Sequence, residues 1–181
     1  MFIQDGRLIA IVQNASEKET EMFFSSVKNI TAQIPDINIV TGISDVHQGY
    51  AGVPECYREA VSALCVSHIK NAGIMKYEDI GIYKLLLGIE NKQLLKNYVY
   101  ENLGKLSEHD RLHGTDYEST LRIYLENGGS VQSAAQQTGV HRNTVNYKMK
   151  MIREILNVEL SDEERTNLRL AFCAQDILNV K

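Results

Sequence analysis

The chain has 181 residues, 44% of them apolar and 23% charged, with a formal charge of −4, 12 glycines and no tryptophan. That is the make-up of an ordinary soluble protein, long enough for one large domain or two small ones that each bury a core. No apolar run approaches the roughly 18–20 residues that cross a bilayer, and no membrane partner is expected.

MFIQDGRLIAIVQN at the N-terminus lacks the basic start and long apolar stretch of a signal peptide. Cys56, Cys65 and Cys173 have no CxxC spacing, so they propose no metal and fit buried free thiols in a reducing cytoplasm.

In chain order, Asp5-Gly6 is a strong hairpin pair and the apolar run RLIAIVQ (7–13) follows, which predicts two antiparallel strands within residues 2–12. Ser16-x-x-Glu19 is a capping box, opening a helix with Met22, Phe23, Val27, Ile30 and Ile34 at helical spacing, ended by Pro35. INIVTGIS (37–44) reads as a buried strand. A helix then starts near Pro54 and runs to Gly73, with Tyr57, Val61, Leu64, Cys65 and Ile69 as its apolar stripe. IMKY (74–77) is a last short edge strand. This order predicts an α+β layer with helices on one face of a sheet. A sheet beginning with a hairpin at residue 2 leads us to expect a further strand and helix upstream.

After residue 80 the strand signals stop. Leucines and tyrosines at helical spacing fill 81–107, with Gly88 as a break, and the polar SEHDRLHG (107–114) reads as the domain boundary. Thr115-x-x-Glu118 and Ser161-x-x-Glu164 are two more capping boxes. The first opens a helix burying Leu121, Tyr124 and Leu125 that stops at Gly128-Gly129; the second opens a final helix with Leu168, Ala171, Phe172 and Leu178. The expected division is residues 1–80, a connector over 81–114, and 115–181.

One segment reverses the charge of the chain. Between Ser130 and Leu156, four bases (Arg142, Lys148, Lys150, Arg153) face one acid, Glu154, so +3 is set against −7 in the remainder. Such a reversal points to an anionic partner. The segment holds a short helix from Ser130 to about Thr138, then Gly139, then a longer helix from about His141 to Leu156 with Val145, Met149, Ile152 and Leu156 on one face. Ala135, Gly139 and Val145 have helix-turn-helix spacing: the alanine permits a close crossing, the glycine the left-handed turn, and the valine fills the gap.

With Val145 inward, Arg142, Asn143, Thr144 and Asn146 are placed to read base edges of double-stranded DNA in a major groove. His141, Tyr147, Lys148, Lys150 and Arg153 suit phosphates, as do Ser130, Gln132 and Ser133 at the preceding helix start. One such unit reads few base pairs, so a homodimer is expected, at least on DNA.

HRNTVNYKMKMI closely resembles the recognition helix of PucR/CdaR-type bacterial transcription regulators, and TLRIYLENGGSVQSAA is similar to that family's lead-in helix and turn. GISDVHQGYAGVPECYREAVSAL resembles the end of the degenerate GGDEF-like domain that precedes it. The resemblance covers nearly the whole chain and is strongest over 115–156. It implies a DNA-binding transcription regulator with a central module related to nucleotide cyclases, and an effector sensed by a region absent from this chain. The family's recognition run falls on His141, Arg142, Asn143, Thr144, Val145 and Tyr147. Asn146 stands where relatives often have a base, which lowers the expected phosphate affinity.

Enzymatic readings are weaker. A cyclase needs the Gly-Gly-Asp/Glu-Glu-Phe turn, with carboxylates for metal, whereas IQDGRL (3–8) offers one carboxylate and one glycine. His109 and His113, with Asp110 and Asp116 nearby, have zinc-like spacing but fall in an expected loop without a third ligand. No catalytic residue, metal or cofactor is expected. The alternative from another class is a helical protein-interaction module that contacts polymerase or a partner protein without binding DNA.

Overall fold

A computed structural model describes residues 1–4, 6–13, 16–31 and 39–180. The elements are β1 (Phe2–Gln4), β2 (Arg7–Ile9), α1 (Glu17–Thr31), β3 (Thr41–Ile43), α2 (Val53–Lys70), β4 (Ile74–Lys76), α3 (Tyr83–Leu87), α4 (Lys92–His113), α5 (Tyr117–Glu126), α6 (Val131–Thr138), α7 (Arg142–Leu156) and α8 (Asp162–Asn179). The chain is α+β in its first part and all-α in its second. Among the described residues no helix is long and apolar enough to cross a membrane.

β1 and β2 pair antiparallel, Phe2 opposite Ile9 and Gln4 opposite Arg7, as the turn pair predicts. Gly6 takes φ +73°, the left-handed conformation such turns require; Asp5 lies outside the described residues, as do Ile34 and Pro35. α1 carries its capping box: the Glu19 amide donates to Ser16 Oγ, and the Ser16 amide donates to the Glu19 carboxylate.

β3 and β4 pair parallel, joined through α2. Among the described residues the four strands form two separate pairs rather than the single sheet expected. α2 lies so close over β3 that a Cβ on Gly42 would sit 2.1 Å from the Ala60 carbonyl oxygen, so only glycine fits there. The stripe proposed for α2 is half-buried throughout; its deepest positions are Glu59, Ala63, Val66 and Ser67. A two-stranded sheet is too narrow to cover that stripe, and the fuller burial comes from the helices on the other side.

The buried residues form two cores, the second of which joins α2 to the helical part. Leu103, Leu106, Leu121, Leu125, Val145, Met149, Ile152, Leu168 and Phe172 belong to the first. Ala63, Val66, Ile80, Tyr83, Leu86, Leu95, Ala174 and Ile177 form the second. α4 and α8 each enter both, so the two cores share their longest walls.

The polar run at 107–113, expected as a loop, is the last two turns of α4. Its polar residues are helical because the opposite face buries Leu103 and Leu106, and Gly114 closes the helix at φ +64°. The box expected at Thr115 does not form either. Asp116 is the N-cap of α5 without a capping bond of its own. The Asp110 carboxylate, on α4, instead accepts from the amides of Tyr117 (3.0 Å) and Glu118 (2.8 Å). Glu118 turns to Ser107 and Gln175. The third box, Ser161 with Glu164, is complete, and its hydrogen bonds hold the Glu164 carboxyl below its ordinary range.

Candidate nucleic-acid interface

The α6–turn–α7 unit is built as its residue types require. Ser130 caps α6, its Oγ accepting from the Ser133 amide (3.2 Å). Ala134 and Ala135 are buried against α7, where larger side chains would hold the helices apart. Gly139 ends α6 at φ +70°. Val145 is 1% exposed, filling the space the alanines leave, with Met149 and Ile152 beside it and Leu156 half-buried.

That inner face turns the expected readers outward. Arg142, Asn143, Thr144 and Asn146 are all exposed, and among the described residues none of their side chains is engaged in a hydrogen bond or ion pair. The first turn of α7 and the residue that follows it thus present one guanidinium, two amides and a hydroxyl. An open groove beside it, between α6 and α7, is lined by Gln132, Ala135, Gln136, Gly139, Val140, His141 and Arg142.

The expected phosphate contacts divide. His141 is the N-cap of α7: its Nδ1 accepts from the Asn143 amide (3.2 Å), leaving Nε2 as the ring's remaining donor. Tyr147 and Lys150 are exposed, and Lys150 stands 3.9 Å from Glu154 in a loose i,i+4 pair. Gln132 is exposed, while Ser130, Ser133 and Arg153 are half-buried at the edges of the same face. Lys148 departs from the rest. Its Nζ donates to both carboxylate oxygens of Asp116 at 2.6 Å, and its side chain is only 19% exposed.

Two features escaped sequence reading. Asp116 is 32 residues from Lys148, and no local pattern links them. Arg122 donates from Nη1 to Asp176 (2.8 and 3.0 Å) and lies over the Phe172 ring at 4.4 Å, while Tyr83 donates to the same carboxylate (3.2 Å). These contacts join α3, α5 and α8 where the two cores meet.

Elsewhere, His109 and His113 sit on α4 with ring centroids 4.4 Å apart; His109 bonds Thr115 and stacks on Tyr117. Among the described residues no group of three His, Cys, Asp or Glu is placed to hold a metal.

Two helices crossing over buried alanines at a left-handed glycine, with a polar second helix, define a helix-turn-helix protein. Residues 117–174 match the family described as the PucR C-terminal helix-turn-helix domain, and residues 1–66 match the GGDEF-like domain. Among the relatives is the "Proline-responsive transcriptional activator PutR" of Bacillus subtilis (strain 168), 33% identical over 127 residues, 68% of this chain and 31% of the relative. The "Purine catabolism regulatory protein" of the same organism is 29% identical over 192 residues, covering 98% of this chain and 35% of the relative. The "DNA-binding transcriptional activator AdeR", also from that organism, is 26% identical over 133 residues, 72% of this chain and 31% of the relative. The chain belongs to the PucR-type family and spans about a third of the length of these relatives. No solved structure matches it.

Proposed function

We propose that the chain is the DNA-reading part of a cytoplasmic, sequence-specific transcription regulator that enters the major groove with α7. The observation that carries this is the start of α7: Arg142, Asn143, Thr144 and Asn146 exposed and unengaged, above an inner face locked by Val145, Met149 and Ile152. Arginine pairs bidentately with guanine and asparagine with adenine. His141, Tyr147, Lys150, Arg153, Gln132 and the serines at the start of α6 would flank the groove as phosphate contacts. The names of the relatives, two of them transcriptional activators and one a regulatory protein, support the same reading.

We further infer no enzymatic role: the hairpin sequence offers one glycine and one carboxylate, too few for nucleotide chemistry. Residues 1–80 would serve as scaffold or relay, 81–114 as a helical connector and 115–181 as the DNA-binding domain. Two copies of the unit, about 34–36 Å apart on one DNA face, would supply useful specificity, so the protein acts as a homodimer on DNA. The effector would be sensed by a region outside this chain.

The test is selection of a preferred site from random DNA, followed by titrations at several salt concentrations. The site should consist of two related half-sites. Arg142→Ala and Asn143→Ala should each flatten preference at particular positions by about 1–3 kcal/mol. Lys150→Ala should weaken all sequences alike and reduce the salt slope by about one. Folded Arg142 and Asn143 variants that keep full preference would remove these residues as readers. Binding insensitive to salt would favour the protein-interaction alternative.

A further inference from the structure

The Asp116–Lys148 pair is, among the described residues, the one ion pair that ties α7 to another helix. Its geometry follows from a substitution of roles at the start of α5. An aspartate at an N-cap ordinarily accepts from the first amides of its own helix. Here Asp110 of α4 takes the amides of Tyr117 and Glu118, and the Asp116 carboxylate is released to grip Lys148. Two carboxylates therefore act in series, α4 holding α5 and α5 holding α7.

The packed inner face of α7, with Val145, Met149 and Ile152 fully buried, fixes the depth and main orientation of the helix, so only a small rotation about its axis is left open. The short, charge-assisted hold of both Asp116 oxygens on Lys148, at the edge of that face, can bias that rotation. We propose that the Asp116–Lys148 pair sets the roll of α7, and so the angle at which Arg142, Asn143, Thr144 and Asn146 meet the bases. Lys148 is then a positioning residue for base reading rather than a phosphate ligand. This rests on the DNA-reading function proposed above. The pair's worth in stability is small because Asp116 is mostly exposed, so site preference is the sensitive readout.

The two roles of Lys148 predict opposite signs. If Lys148 leaves Asp116 for a phosphate, Asp116 is a competitor. Asp116→Asn then tightens binding to all DNA, and Lys148→Met lowers the salt slope by about 0.9. If the pair positions α7, both variants lower the ratio of preferred-site to random-DNA affinity by about tenfold, within the range one base contact supplies. The salt slope stays as in wild type, the double variant is no worse than either single one, and Asp116→Glu restores preference. The experiment is a titration of the full chain and these four variants against the selected site and random DNA at several salt concentrations. Circular dichroism melts restrict the comparison to folded protein, and Asp116→Glu keeps the charge if Asp116→Asn unfolds. Tighter binding by Asp116→Asn, a reduced slope for Lys148→Met, or full preference in folded Asp116→Asn overturns the inference alone. Wild-type protein without any sequence preference would sink the DNA-reading function itself, and this inference with it.

Discussion

The strand-bearing beginning of the chain and its helical remainder obey the same local rules and differ in what those rules secure. α1 and α8 both open with a complete serine–glutamate box. Yet among the residues before Glu59 whose side chains are described none is buried, and Phe2, Ile3, Leu8, Ile11, Val12 and Met22 are exposed. From α2 onward the same kinds of side chain close two cores, the second of them taking in Ala63 and Val66 of α2. Capping and turn chemistry are enough to shape an element, but burial decides whether the element contributes to global stability. The interface grows from the well-buried part, where four exposed polar side chains on α7 rest on a fully packed inner face.

The largest effect should separate the two regions outright. Leu121 is fully buried in the first core, whereas Leu8 is 65% exposed. Leu121→Ala should cost about 2–5 kcal/mol, by lost transfer energy plus the cavity left behind. Leu8→Ala should stay within about 0.5 kcal/mol, as surface substitutions do. Urea unfolding of both variants measures the difference, and equal losses would break the comparison.

That contrast also sets what the sequence could tell. The α6–turn–α7 unit was legible because its constraints are local: Ala135, Gly139 and Val145 lie within eleven residues and each has one physical job. The hairpin and the boxes at Ser16 and Ser161 were legible for the same reason. The box at Thr115 misled because Asp110, one helix earlier, competes for the same amides. The polar end of α4 looked like a loop because its burial, through Leu103 and Leu106, depends on helices that arrive much later in the chain. The separation of the strands into two pairs, and the grip of Asp116 on Lys148, are likewise tertiary facts without a local signature.

A second pair of variants applies one change of equal chemistry to both regions. Gly139 and Gly6 have nearly the same backbone, φ +70° and +73°, and a Cβ added at either meets nothing within 4 Å. Alanine therefore brings only the left-handed conformational cost, about 1–2 kcal/mol. At Gly139 that cost should appear in full in global unfolding, since α6 and α7 share the core. At Gly6 it should be absorbed by local opening of the hairpin, leaving the global midpoint unchanged while amide exchange of the strands quickens. Equal shifts of the two midpoints would mean that the hairpin unfolds with the rest.

The smallest expected effect probes the join, where Tyr83 of α3 meets Asp176 of α8. Burial pushes the Tyr83 hydroxyl far above the usual phenol range, and neighbouring Cys173 and Asp176 add to the shift. The folded state therefore favours the neutral phenol, while the unfolded chain loses that proton near pH 10. The resulting stabilisation is fully present below that pH and is lost as pH rises above it. Tyr77, Tyr98 and Tyr117 are shifted the same way by burial, so wild-type stability should fall above about pH 10 through several groups at once. Tyr83→Phe should remove only its own share of that fall. At neutral pH it should cost no more than one hydrogen bond, about 0.5–1.5 kcal/mol. Urea midpoints of wild type and variant near neutrality and above about pH 10 make the test. An alkaline loss identical in the two proteins would show that Tyr83 ionises as freely in the folded chain as in the unfolded one, and that α3 is not held against α8 by this contact.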